Sequence, residues 1–285
     1  MMGKILDGKK VAQIKSEELK HTVEKLVSEG KTPHFCVINI GADPASKVYV
    51  ATKARRAKKL GIIEETYQLP AETTEAEVIA LIEKLNADPE ITGVMVQLPA
   101  PDHIDVDHLM ATIDPEKDVD CLTPANTGRL WIGNHFVEPA TASGIITLLD
   151  YYDIDLTGLN AVIVGRSNIV GKPLAALLLE RNASVSILHS RTKNLAEHTK
   201  NADIVVAAVG HPKLITADMV KEGAIVIDVG INRVDKHLIG DVDFDEVSKK
   251  AAWITPVPGG VGPLTVESLM EQVVKLAMRH KNDRG

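Results

Sequence analysis

Ala161-Val-Ile-Val-Gly-Arg-Ser-Asn-Ile-Val-Gly-Lys-Pro173 reads as a buried strand that runs into a glycine-flanked turn and leaves it as a helix. Asn160 to Val164 form a short apolar, partly β-branched run bounded by Gly165. Pro173 with Leu174, Leu177 and Leu178 opens a helical stripe. Gly165 and Gly171 allow close approach of backbone to an anion, and the free N–H groups of the new helix supply positive potential for a pyrophosphate. The spacing departs from G-x-G-x-x-G, so the reading rests on the strand–turn–helix context more than on the fingerprint. It points to a nucleotide cofactor.

The next strand sharpens that expectation. Ser184 to Leu188 ends in His189-Ser190-Arg191, where an enzyme selective for NAD carries an acidic residue for the ribose 2′-hydroxyl. A hydroxyl and a guanidinium suit a 2′-phosphate instead, because arginine presents a planar fork of donors to phosphate oxygens. NADP is therefore the expected cofactor. The plainer alternative is that Arg166 and Arg191 are ordinary solvated charges.

The chain has 285 residues and a formal net charge of −7, with 45% hydrophobic residues. That length suits two domains with real cores. A net negative chain without a long basic tract repels a phosphate backbone, so nucleic acid is an unexpected partner. Two cysteines, Cys36 and Cys121, are too few for a disulfide framework and fit a reducing, cytoplasmic location. No apolar run reaches membrane-spanning length.

Strand and helix patterns alternate in two series, which predicts an α/β fold of two domains, each a parallel sheet covered by helices. The first series has candidate strands at His34 to Ile40, Glu65 to Leu69 and Gly93 to Leu98, with helices near 8–29, 46–60 and 74–86. The second has strands near 160–164, 184–189, 203–209, 224–229 and 252–256. Residues 99–140, rich in Pro, Asp, His and Gly, read as an irregular connection holding the domain junction. The expected domains are 1–140 and a Rossmann-type unit at 141–262. The C-terminal helix, 263–281, is free to pack back on the first. Pro263 would start that helix, with Glu267 and Glu271 early and Lys275, Arg279, His280 and Lys281 late, in accord with its dipole.

Several residues combine chemistry with placement. On helix 46–60, Tyr49 and Lys53 are four residues apart and share a face, beside a stripe of Val50, Ala54 and Ala57. A tyrosine ring next to an amine makes a floor for a flat substrate; a half-buried Tyr beside a snorkelling Lys is the plainer reading. Gln97 closes a buried strand just before Pro99, at the carboxyl end where ligands of parallel sheets gather, or it satisfies loop backbone. Asp114-Pro-Glu-Lys-Asp-Val-Asp120, with His103 and His108 nearby, matches no ordinary metal-ligand spacing. A carboxylate there suits two N–H donors on a pterin edge better. Thr255-Pro-Val-Pro-Gly-Gly-Val-Gly-Pro-Leu-Thr265 is stiff in places and open in others, as a ligand-facing loop or a plain turn would be.

Together these motifs resemble the bifunctional methylenetetrahydrofolate dehydrogenase/methenyltetrahydrofolate cyclohydrolase family over nearly the whole chain. The resemblance rests on Asp43-Pro-Ala-Ser-Lys-Val-Tyr-Val-Ala-Thr-Lys53, Val96-Gln-Leu-Pro99, Lys117-Asp-Val-Asp120, Gly165-Arg-Ser-Asn-Ile-Val-Gly171, Asp228-Val-Gly-Ile-Asn232 and Pro256-Val-Pro-Gly-Gly-Val-Gly-Pro263. It implies NADP-dependent oxidation of 5,10-methylenetetrahydrofolate and hydrolysis of the methenyl product to 10-formyltetrahydrofolate in one site. It implies a first domain for substrate and catalysis, a second for NADP, a homodimer paired through the second, and a folate as the small-molecule partner.

By the same resemblance Lys53 is the catalytic lysine, Gln97 orients it, Tyr49 packs on the aminobenzoate and Asp120 holds the pterin. The substrate would also meet Val50, Ala51, Thr52, Val96, Leu98, Pro258, Gly259, Gly260, Val261 and Gly262. Gly165, Arg166, Ser167, Ser190, Arg191 and Ile231 would hold the cofactor, and no metal is implied. To act as a base Lys53 needs a depressed pKa, from burial or from cations such as Arg55, Arg56, Lys58 and Lys59. The chain departs from the family pattern at Cys121, usually glycine, at Leu122-Thr123, commonly an aromatic–His pair, and at Ala140 and Ala142, usually Cys and Pro. Shifted substrate affinity or hinge stiffness is the expected result.

Overall fold

The computed structural model describes residues 3–235 and 237–279. In chain order the elements are β1 (Lys4–Ile5), α1 (Gly8–Ser28), β2 (His34–Ile40), α2 (Pro44–Leu60), β3 (Ile63–Leu69), α3 (Glu75–Ala87), β4 (Gly93–Gln97), α4 (Val106–Thr112) and α5 (Pro124–Trp131). There follow α6 (Ala140–Tyr151), β5 (Asn160–Val164), α7 (Gly171–Glu180), β6 (Ser184–Leu188), α8 (Leu195–Thr199), β7 (Ile204–Ala207), β8 (Ile225–Asp228), β9 (Asn232–Val234), β10 (His237–Ile239), α9 (Phe244–Val247), β11 (Trp253–Ile254) and α10 (Val261–Arg279). The chain divides into two compact units, one of residues 1–14 and 140–265, the other of 15–139 and 266–285.

The second of these contains a three-stranded parallel sheet in the order β3-β2-β4. One face of β2 sends Cys36, Ile38 and Ile40 into a core with Val78, Ile82 and Leu85 of α3 and Leu109 and Met110 of α4. Truncating the fully buried Ile82 to Ala would cost about 3 kcal/mol. Helix α3 starts on a capping box, Thr74 accepting from the Glu77 N–H and Glu77 accepting from the Thr74 N–H. Near its other end the buried Lys117 ammonium donates to the carbonyls of Leu85, Asn86 and Asp88 at 2.6–2.9 Å. Lys117 therefore serves the orphan carbonyls of a helix end.

The other unit holds a six-stranded, all-parallel sheet in the order β1-β11-β8-β7-β5-β6. Its middle strands β7 and β8 are apolar but for Asp228 at the end of β8, as suits strands covered on both faces; every residue of the two is buried. Val162, Val164, Val205, Val226 and Ile254 pack with Ile215, Val220 and Val247 into one core. Strands β9 and β10 form a separate antiparallel pair.

In three places the fold differs from the sequence reading. The expected first domain includes residues 1–14, but Lys4 and Ile5 pair with Trp253 and Ile254 and extend the six-stranded sheet; two residues are too short a run to carry a readable alternation. The composition of 99–140 predicts an irregular connection, yet it holds α4 and α5. Each has a local signal that composition obscured: Asp105 caps α4 by accepting from the Asp107 and His108 N–H groups, and Thr123 caps α5 ahead of Pro124. Finally, α10 starts at Val261, so Glu267 and Glu271 sit in its middle, away from the dipole end. Glu267 is buried and paired with Arg56. His280 and Lys281 lie outside the described residues.

Candidate active site

In the three-stranded sheet the chain runs from central β2 through α2 to β3 on one side, then through α3 to β4 on the other. The connections part company between β2 and β4, and such a switch point leaves a crevice at the carboxyl ends of the two strands. Gln97 is the last residue of β4, in register with buried Asn39 of β2. From α2, Lys53 sends its Nζ to Gln97 Oε1 at 2.9 Å and to Met95 Sδ at 3.6 Å. The Gln97 Nε2 donates to the Leu98 carbonyl at 2.7 Å, which fixes the amide with its oxygen toward the lysine.

Burial lowers the Lys53 pKa from its ordinary 10.5, while the charges of Asp120 and Glu64 oppose the shift. The cations suggested by sequence are not the cause. Arg56 donates to Glu267 at 2.6 Å, and Arg55 turns back to the Ala51 carbonyl and Thr52 hydroxyl of its own helix. Tyr49 is 43% exposed, available to a ligand. Ala51 is exposed and Thr52 half-buried, its hydroxyl donating to the Val48 carbonyl. Val50 and Val96 are buried, so whatever they do for a ligand is done by placing their neighbours.

The loop after α4 splits its carboxylates by task. Asp118 is buried and accepts from the Leu122 and Thr123 N–H groups and from Asn126 Nδ2. Asp120 is half-buried; burial pushes its pKa up to about 6, opposed by the charge of Lys53 and assisted by that of Asp118. Cys121 takes the left-handed conformation, φ 57°, and is buried. The histidines lie elsewhere: His103 meets the Thr73 carbonyl and His108 meets Glu75.

The six-stranded sheet repeats the topology. From β5 the chain goes out to β6 and then back past β5 to β7, placing a second switch point between β5 and β7. Gly165 follows β5 with φ 132°, and a Cβ there would stand 2.2 Å from the Ala208 carbonyl oxygen; one at Gly171 would stand 2.1 Å from the Gly165 oxygen. Glycine is thus demanded by the protein's own backbone crossing at this corner. The helix N–H groups are less free than the sequence suggested. Gly171 N donates to Ser167 Oγ, Lys172 N to the Ser167 carbonyl, and Pro173 has none to give. The groups turned to solvent are in the exposed stretch Arg166, Ser167 and Asn168. Ser190 and Arg191 are exposed beyond β6, with Arg191 N donating to His189 Nδ1. An open corner with exposed loop amides, a hydroxyl and a guanidinium fits a phosphorylated dinucleotide.

Around that corner, buried carboxylates hold the loops. Asp241 accepts from the Val209 and Gly210 N–H groups at 2.7 and 2.9 Å and from Asn232 Nδ2. Asp228 accepts from the N–H groups of Gly230, Asp241 and Val242, and burial pushes its pKa up to about 6 against those bonds. Sequence reasoning quoted Asp228 and missed Asp241; the acid following Gly240 was the available signal, since a Cβ on Gly240 would stand 1.9 Å from an Asp228 oxygen. Ile231 lies between them, 47% exposed, and a Cβ on Gly262 would touch its Cδ1 at 3.4 Å. In the 255–262 loop, Pro258 is exposed, Gly259 has φ 109°, and Gly260 packs over Thr255 and Pro256, with Val261 buried.

Comparison with known proteins finds a family model for each half of the chain. Residues 6–120 match the family model for the tetrahydrofolate dehydrogenase/cyclohydrolase catalytic domain, and 139–281 match the NAD(P)-binding domain of the same family. A bifunctional protein FolD from Lactobacillus delbrueckii subsp. bulgaricus is 69% identical over 278 residues, 98% of each chain. Among solved structures, the bifunctional dehydrogenase/cyclohydrolase FolD of Campylobacter jejuni superposes with a TM-score of 0.95 at 46% identity, covering 97% of this chain and 99% of that one. The Trypanosoma brucei enzyme, solved with NADP cofactor and inhibitor, gives 0.95 at 37% identity over the whole of both chains. The chain belongs to the bifunctional tetrahydrofolate dehydrogenase/cyclohydrolase family, with a catalytic domain and an NAD(P)-binding domain.

Proposed function

We propose that the enzyme oxidises 5,10-methylenetetrahydrofolate with NADP and hydrolyses the methenyl product to 10-formyltetrahydrofolate, Lys53 serving the hydrolytic step. The observation that carries this reading is the contact of Lys53 with Gln97, in surroundings that lower the amine's pKa. NADP, when bound, supplies the hydride acceptor. Gly165, Arg166 and Ser167 would border its pyrophosphate, Ser190 and Arg191 its 2′-phosphate, and Ile231 its apolar face.

Hydride loss leaves an amidinium-like carbon that water can attack without a metal. As the water oxygen bonds to that carbon, neutral Lys53 takes one of its protons. It returns the proton to N5 as the carbon–N5 bond breaks, and the remaining hydroxyl proton leaves to solvent as the formyl carbonyl forms. Gln97, tied to Leu98, keeps the amine on one trajectory. Asp120, ionised above about pH 6, accepts two N–H bonds from the pterin edge, and Tyr49 supports the aminobenzoate. The 50–52 and 96–98 stretches complete the substrate's surroundings in the catalytic domain.

The same reading makes the protein a cytoplasmic homodimer paired through the NADP-binding domain, feeding formyl groups to purine biosynthesis. What supports the pairing is the family resemblance and the edge position of β6, which among the described residues pairs with β5 alone. Among the described residues no helix is long and apolar enough to cross a membrane. A two-step spectrophotometric assay with each cofactor tests the function. Methenyl absorbance should rise and then decay with NADP and be weaker with NAD; equal efficiency with NAD would overturn the cofactor choice, and no turnover would overturn the whole.

A further inference from the structure

His34 and Cys36 are two residues apart on β2, and the parallel register sets Glu65 of edge strand β3 beside Cys36. Residues i and i+2 of a strand and an in-register neighbour share one face of a sheet. An imidazole, a thiol and a carboxylate are thereby gathered. A ring nitrogen of His34, the Cys36 Sγ and a Glu65 oxygen all lie within 4.8 Å of one another, and His34 Nε2 is 3.3 Å from Glu65 Oε1. Tetrahedral bonds of about 2.0–2.3 Å set ligand atoms roughly 3.3–3.8 Å apart, so only small rotations separate this arrangement from a coordination shell.

Two further observations point to an absent partner. His34 Nε2 is buried and makes no hydrogen bond, the nearby carboxylate oxygen lying at an angle unsuited to one; a buried polar atom left unpaired is costly. The other Glu65 oxygen accepts from the Tyr67 hydroxyl at 3.0 Å, the outer support a metal-ligating carboxylate ordinarily has. Cys36 is fully buried while the Glu65 side chain is 48% exposed, so a site here opens toward solvent on one side only.

We propose that His34, Cys36 and Glu65 form a zinc-class divalent metal site with three protein ligands and a fourth position open to water. The mixture of thiolate, imidazole and carboxylate favours a borderline-soft ion over magnesium or calcium. On binding, the Cys36 proton leaves to solvent, and the thiolate and carboxylate neutralise the ion. His34 begins β2 whereas Gln97 ends β4, so the metal sits at the amino ends of the strands, away from Lys53. Its effect is to clamp edge strand β3 to β2.

The test uses the full chain and Co²⁺ as a spectroscopic stand-in for Zn²⁺. One equivalent should bind with a thiolate-to-cobalt charge-transfer band in the near-ultraviolet and be displaced by Zn²⁺, and Zn²⁺ but not Mg²⁺ should raise Tm. Cys36→Ser should abolish the band and His34→Gln the stoichiometric binding, while Cys121→Ser keeps both. Tyr67→Phe, which spares every ligand and so guards against a misfolded variant, should weaken binding about tenfold. No charge-transfer band in the native chain, or a band that survives Cys36→Ser, would overturn the site.

Discussion

The two sheets share a topology and use it in opposite ways. Each places its second strand on one side of the first and its third on the other, β3-β2-β4 and β6-β5-β7, and each therefore opens a crevice at the carboxyl ends. At the β2/β4 opening the protein presents side chains, the Lys53 amine held by the Gln97 amide and a carboxylate with a raised pKa. At the β5/β7 opening it presents backbone, with glycines at Gly165 and Gly171 and loops tethered from beneath by Asp228 and Asp241. On the proposed assignment, one crevice puts half-buried polar groups to reactivity and the other puts buried ones to shape. A proton-transfer site needs a group whose charge is poised to change, whereas a dinucleotide needs donors fixed in place.

If that contrast is right, damage should separate cleanly. Lys53→Met should reduce methenyl hydrolysis by about 10²–10⁴-fold, the usual worth of a positioned acid–base group, and leave NADP affinity, read by fluorescence titration, unchanged. It should also raise Tm at neutral pH. The folded pKa of Lys53 lies below 10.5, so the native chain carries a buried ammonium's cost at low pH, and stability rises with pH between the depressed value and 10.5; removing the amine removes the cost. Hydrolysis within about tenfold of the parent would break the assignment.

Asp241→Ala should act on the opposite crevice, lowering stability by about 3 kcal/mol through lost bonds to a charged acceptor. Denaturant melts and KM for NADP should both register it, with kcat little altered. An unchanged KM would show that the tethers serve folding alone. A smaller effect concerns Asp120, whose pKa of about 6 lies above the ordinary 3.8. As pH falls through 6 it protonates and KM for the folate should climb, while the stability cost of the ionised form disappears. Asp120→Asn should flatten that limb and raise Tm at pH 7; a limb unchanged in the variant would assign it to another group. Smallest of all, Arg191→Ala should cut the preference for NADP over NAD by about tenfold, measured as the ratio of kcat/KM values.

Much of this was legible because the decisive patterns are local. The apolar runs of β2, β5 and β7, each ending in a polar or glycine residue at the carboxyl end, announce a parallel sheet and its crevice together. Tyr49 and Lys53 share a helical face by spacing alone. What the sequence did not reveal depends on long-range pairing. Nothing in Lys4 and Ile5 announces that they join a strand some 250 residues away. Sequence leaves the cause of the Lys53 shift open between burial and nearby cations, because the partner that occupies Arg56 is Glu267, 211 positions distant. Lys117 and Asp118, charged neighbours of Asp120 in the same motif, are a helix-end donor and a loop tether, tasks that charge and spacing do not distinguish.

Cys121 offers a use of its own. Its backbone sits at φ 57°, a region a residue with a Cβ enters at a cost of about 1–2 kcal/mol, and glycine there should recover part of it, as a higher Tm. Burial and the charges of Asp118 and Glu138 push its thiol well above the usual range, so in the closed loop the sulfur is mute to alkylating reagents. In any opened state of the loop around Asp120 the thiol would regain its ordinary pKa and react. The labelling rate of Cys121 would therefore serve as a clock, wired into the chain beside Asp120, that counts how often this loop opens.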